Sequence, residues 1–132
     1  MSDVVVVRCD RYEDSAVRAA VERGVSLLGG INRFVQSGER ILLKPNWLSA
    51  DPPEKCVTTH PAVFRAVAEL FFSAGAVLSY GDSPGFQPPE TAAKKTGCAE
   101  VADALHIPLA DLRSGREVHY PEGRQNKKFS IA

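Results

Sequence analysis

The chain has 132 residues, of which 44% are hydrophobic and 24% charged, with 16 Lys+Arg set against 16 Asp+Glu. That apolar fraction suffices for one packed core and excludes a disordered or low-complexity chain. Balanced charge supplies no overall field for a polyanion or an anionic membrane surface, so neither nucleic acid nor membrane is an expected partner.

The first element in chain order is Val4-Val5-Val6-Val7, β-branched at every position, the pattern of a parallel strand covered on both faces. From Ser15 to Leu28, the apolar residues Val17, Ala20, Val21, Val25 and Leu28 recur at helical spacing; Glu13 and Asp14 suit the start and Gly29-Gly30 the stop. A second buried-type strand, Ile41-Leu42-Leu43, closes at Lys44-Pro45-Asn46 and gives way to a Pro-rich loop containing Asp51-Pro52-Pro53. Pro61 opens the next helix, with Val63, Val67, Leu70, Phe71 and Ala74 on one face and Gly75 as C-cap. Ala76 to Tyr80 reads as a third strand running into Gly81-Asp82-Ser83-Pro84-Gly85. Helical segments at Glu90 to Thr96 and Ala99 to Leu105, parted by Gly97, lead to a fourth strand at Ile107 to Leu109. Glu117 to Tyr120 and Lys128 to Ile131 form an antiparallel hairpin around Pro121-Glu122-Gly123.

Strand starts at Val4, Ile41, Ala76 and Ile107 recur at the length of strand-helix-strand units, about 30 residues or more. Right-handed crossovers then predict an α/β, Rossmann-like three-layer sandwich with a mainly parallel sheet and a C-terminal hairpin. Residues 1–132 read as one such domain, and the abrupt end at Ile131-Ala132 reads as the N-terminal portion of a longer protein. Cys9, Cys56 and Cys98 stand far apart with no CxxC, which excludes a disulfide framework and a self-contained metal cluster and leaves reduced thiols. The start carries no cationic stretch and no apolar run of membrane length, so a cytoplasmic protein is expected.

Ligands of open parallel sheets bind beyond the carboxyl ends of the strands. The residues delivered there are Cys9 and Asp10 after the first strand, Lys44 and Asn46 after the second, and Gly81, Asp82, Ser83 and Gly85 after the third, with Thr59 and His60 opening a helix at the same edge. Lys44 suits a phosphate or carboxylate, and the helix start at Thr59 or His60 suits an anion facing free N–H groups. Gly81 and Gly85 allow unusual φ and close approach of a ligand, while Asp82 and His60 are the candidates for metal or proton chemistry. Each residue also has a plainer use: Thr59 as a helix cap, Gly81 to Gly85 as turn chemistry, Cys9 as a buried thiol, and the basic tail from Arg113 to Lys128 as a solvated hairpin.

Three blocks in order, Arg40-Ile-Leu-Leu-Lys-Pro-Asn46, Val57-Thr-Thr-His-Pro61 and Ala74-Gly-Ala76 followed by Gly81-Asp-Ser-Pro-Gly85, resemble the N-terminal part of the prokaryotic DUF362 family, from Val4 to roughly Leu112. Members of that family are often named iron-sulfur cluster-binding proteins, and the resemblance implies an α/β domain linked to redox chemistry. This chain has no CxxCxxC run, so a cluster would belong to a later part of such a protein and not to these residues. Two functions follow as expectations: binding of an anionic small molecule at the strand ends, with Lys44 and the helix start as anion holders and no metal assigned, or a non-catalytic module docking onto a ferredoxin-like domain or subunit.

Overall fold

Glycine and proline set the boundaries of the helices in the computed structural model, which describes residues 3–131. Helix α1, Asp14–Leu27, starts with the Asp14 carboxylate at the positive end of its dipole and stops at Gly29 and Gly30, both at positive φ. Helix α2, Pro61–Ser73, starts on a ring already fixed near helical φ. It ends at Gly75, whose φ of +86° turns the chain directly into the next strand.

Strands β1, Arg40–Leu43, and β2, Val77–Tyr80, are parallel, with Ile41 opposite Leu78 and Leu43 opposite Tyr80. Helices α3, Pro89–Lys95, and α4, Cys98–Ala104, return the chain to the free edge of β2, parted by Gly97 as expected. There the predicted fourth strand contracts to a single parallel bridge at Leu109: Tyr80 N–H donates to the Pro108 carbonyl at 3.1 Å, and Ala110 N–H to that of Tyr80 at 2.7 Å. Pro108 has no N–H of its own and limits the ladder.

One face of this small sheet packs Leu43, Leu78 and Tyr80 against Phe64, Ala68, Ala92, Val101 and Ala102, and the rings of Phe64 and Tyr80 lie 5.5 Å apart. Val17, Ala62 and Ala66 form a second cluster that seats α1 on α2. The opposite face is bare, with Leu42 46% and Val77 57% exposed. The described residues therefore make a mixed α/β fold with helices on one side of a small parallel sheet. The second helical layer of a three-layer sandwich is not among them.

Val4–Val7 departs from its expectation of a strand covered on both faces. The segment joins no ladder among the described residues, and only Val5 and Val7 are half-buried against α1. The hairpin forms as predicted, from β3, Arg116–His119, and β4, Lys128–Ile131, with Val118 opposite Phe129.

Candidate functional site

Because β1 and β2 run parallel, the residues that follow them emerge at one end of the sheet. Lys44 is the first residue after β1 and Asp82 the second after β2. Lys44 Nζ lies 2.8 Å from Asp82 Oδ1 and donates to Asn46 Oδ1 at 2.8 Å. The other Asp82 oxygen accepts the Trp47 backbone N–H at 2.6 Å. Asp82 is buried while the Lys44 side chain is 58% exposed, so the pair joins the core to solvent.

Burial alone would push the Asp82 carboxyl up, but the Lys44 ammonium and the Trp47 and Ser83 N–H groups outweigh it and hold the acid below its ordinary range. A carboxylate so satisfied is a weak base and a strong tether. Two of the three Lys44 donors are engaged, which leaves one for a ligand.

Gly81 and Gly85 correct the expectation of unusual backbone, since neither has positive φ. Gly81 instead allows close packing: its N–H donates to the Leu43 carbonyl at 3.0 Å, and an added Cβ would sit 3.4 Å from Leu112 Cδ1. Around Gly85 no neighbour lies within 4 Å of such a Cβ, and Ser83 is exposed.

His60 belongs to a different environment. Its Nδ1 accepts the Ala62 N–H at 3.1 Å, which makes His60, not Thr59, the cap of α2. With Pro61 in the first helical position the residue just before it holds the cap, and imidazole Nδ1 stands where the oxygen of Asn or Asp would. The Val63 and Phe64 N–H groups donate to the His60 carbonyl at 3.0 and 3.2 Å, and Pro61 has none. The helix start therefore offers no free donor to an anion, contrary to the sequence expectation. Tyr12 stacks on the His60 ring with centroids 3.8 Å apart, and both line a hollow of about 200 Å³ with Arg65 and Glu100. Lys44 and Asp82 are not part of its lining. The rim thus divides: Lys44, Asn46, Asp82 and Ser83 come together, Thr59 is half-buried at the approach to α2, and His60 is committed to that helix.

Trp47 and Tyr80 are the residues that sequence reasoning missed. Trp47 is 2% exposed, meets Tyr80 edge-on at 6.0 Å, and bridges to Thr58 to pin the Pro-rich loop. As the single Trp of the chain, directly after Lys-Pro-Asn, it carried a signal that hydropathy alone does not weigh. Trp47 Nε1 and Thr58 Oγ1 are buried without a partner. Cys98 is wholly buried at the start of α4, and burial pushes its thiol up, which leaves it inert. Cys9, expected as a buried thiol, is exposed, as is Cys56. Among the described residues no three His, Cys, Asp or Glu side chains cluster for a metal, and no helix is long and apolar enough to cross a membrane.

Comparison with known proteins bears on these same residues. The chain is 36% identical over 116 residues to the thylakoid-associated protein sll1697 of Synechocystis sp., covering 88% of this chain and 36% of that protein. It thus spans about a third of the length of this curated relative. No solved structure matches it. The family described as a domain of unknown function (DUF362) matches residues 41–132, a range that opens within β1, holds the strand-end residues from Lys44 to Gly85 but not Cys9 and Asp10, and runs through the hairpin. The chain belongs to the DUF362 family.

Proposed function

We propose that the carboxyl ends of β1 and β2 form one wall of a site for a small oxyanion, a phosphate or carboxylate group, held by Lys44. The observation that carries this reading is the fixed ammonium: Asp82 and Asn46 each hold Lys44 Nζ at 2.8 Å, while the side chain stays 58% exposed with one donor unspent. Orientation by two acceptors removes rotamer freedom before a ligand arrives, which lowers the entropic cost of binding. Asn46 and Asp82 act as positioning groups, and Ser83, exposed and next in sequence to Asp82, brings a hydroxyl to the same loop.

Calorimetric titration of the chain with inorganic phosphate and with AMP tests this. Saturable binding that disappears in Lys44→Met and survives in His60→Asn is the expected result. No saturation, or equal binding in Lys44→Met, overturns the reading.

A docking role has its own observation, the bare sheet face with Leu42 and Val77 exposed. On this second reading a further helical layer, from a ferredoxin-like domain or subunit, completes the three-layer, Rossmann-like sandwich and supplies any iron-sulfur or redox chemistry. The reading keeps this chain in the cytoplasm, while its relative's name associates that protein with the thylakoid. Replacement of Leu42 and Val77 by Ser separates the two roles, since it removes docking and leaves phosphate binding intact.

A further inference from the structure

Charge that balances over the chain does not balance over its surface. The hairpin, Arg116 to Ile131, carries Arg116, Arg124, Lys127 and Lys128 against only Glu117 and Glu122, so the remainder of the chain is net acidic. Strand register sorts these side chains further. Arg116 stands opposite Ile131 and Val118 opposite Phe129, and residues directly opposite share a face. The Tyr120 N–H donates to the Lys127 carbonyl at 2.8 Å, which continues the ladder by one pair on that same face. Val118, Tyr120, Phe129 and Ile131 thus lie on one face with a cation at each end, Arg116 and Lys127, and no carboxylate between. The other face holds Glu117 and Lys128, which pair at 3.0 Å, while Glu122 sits in the turn beside the Tyr120 hydroxyl. Among the described residues Arg116, Arg124 and Lys127 make no such pair. The apolar face is not covered: Tyr120 is 52%, Phe129 40% and Ile131 51% exposed.

We propose that this face of the β3–β4 hairpin docks on an anionic lipid surface, with Tyr120, Phe129 and Ile131 at the headgroup boundary and Arg116 and Lys127 against lipid phosphates. Charge complementarity selects the occupant, because the face offers cations without a competing acid. Each Lys or Arg close to an anionic bilayer strengthens binding by about fivefold, and partial burial of apolar side chains adds to it. Aromatic rings with a polar tip, such as that of Tyr120, suit a boundary that is apolar on one side and wet on the other. Four partly exposed apolar side chains on a two-stranded ribbon fall short of the roughly 800 Å² that each partner of a stable protein complex buries. A bilayer sets no such threshold. The acidic remainder of the chain is repelled by the same surface, which turns the helices away and fixes the orientation. The proposal is independent of the Lys44 site.

Co-sedimentation of the 132-residue chain with vesicles of phosphatidylglycerol and of phosphatidylcholine tests it. Binding to phosphatidylglycerol that weakens with added salt is expected, with none to phosphatidylcholine. The double variant Arg116→Gln/Lys127→Gln alters only exposed side chains and should weaken binding by about tenfold or more. Phe129→Ser should weaken it as well, and circular dichroism checks that each variant stays folded. Excess inorganic phosphate at matched ionic strength should leave the chain on the vesicles. Displacement by phosphate would assign the binding to Lys44 and overturn the proposal. A chain that binds neither lipid overturns it too, including one that instead takes up soluble polyglutamate. So does equal binding to both lipids, or binding that the glutamine variant leaves undiminished.

Discussion

Asp82 concentrates the energetics of the strand-end loops in one side chain. Its oxygens meet Lys44 Nζ and the Trp47 N–H, so an amide in its place keeps one acceptor for Trp47 but turns a donor toward the Lys44 ammonium and removes its counter-charge. Asp82→Asn is expected to cost about 1–3 kcal/mol, measured by urea denaturation with tryptophan fluorescence, since Trp47 reports directly on the loop. The same contacts set a pH dependence. The folded-state acid is held below its ordinary range, so its contribution is present above the unfolded value of about 3.9 and is lost as pH falls through the lower folded value. Exposed Asp111 adds to this window: hydrogen bonds from Ser114 and Arg113 lower it to about 2. Wild type should therefore lose stability below about pH 4, and Asp82→Asn should lose less over that interval. An unchanged acid limb in the variant would remove Asp82 from the explanation. Lys-Pro-Asn and Gly-Asp-Ser were legible in sequence as strand-end motifs, but the saturation of Asp82 was not. It depends on the Trp47 N–H, 35 positions away in the chain.

At the scale of elements, α2 rests on His60. Loss of this cap in His60→Ala should destabilise the fold by about 0.5–2 kcal/mol, and His60→Asn should recover most of it because its amide oxygen can take the Ala62 N–H. Thermal unfolding of the two variants checks this, and equal loss in both would assign the effect to stacking on Tyr12. Both long helices were legible from 3.6-residue periodicity and from Gly and Pro at their ends, because those signals act locally. Strands carried no such assurance. Val4–Val7 has the composition of a buried strand yet lacks a ladder here, since strand formation depends on a neighbour that the segment's own sequence cannot specify. Ile107–Leu109 lost most of its ladder to a proline visible in sequence, whose missing N–H matters only where a partner strand requires it.

Across the whole molecule, stability is uneven. The β3–β4 hairpin packs mainly on itself, with Phe129 40% and Ile131 51% exposed, and an isolated hairpin is marginal in water. Hydrogen exchange should accordingly be fast from Arg116 to Ile131 and slow in α2 and β2, where Ala68 and Tyr80 lie in the core. Comparable protection in both regions would mean that the hairpin is held by more than its own ladder. Sequence by itself determined the helices, the parallel unit around β1 and β2, the hairpin and the family blocks, because periodicity, turn residues and short motifs are local in the chain. Only the tertiary structure decided that Lys44 and Asp82 share a site while His60 does not, that the helix start is already satisfied, and that one sheet face and the valine edge remain uncovered. Those outcomes depend on which donors and acceptors meet across long separations, and folding settles that by packing and desolvation.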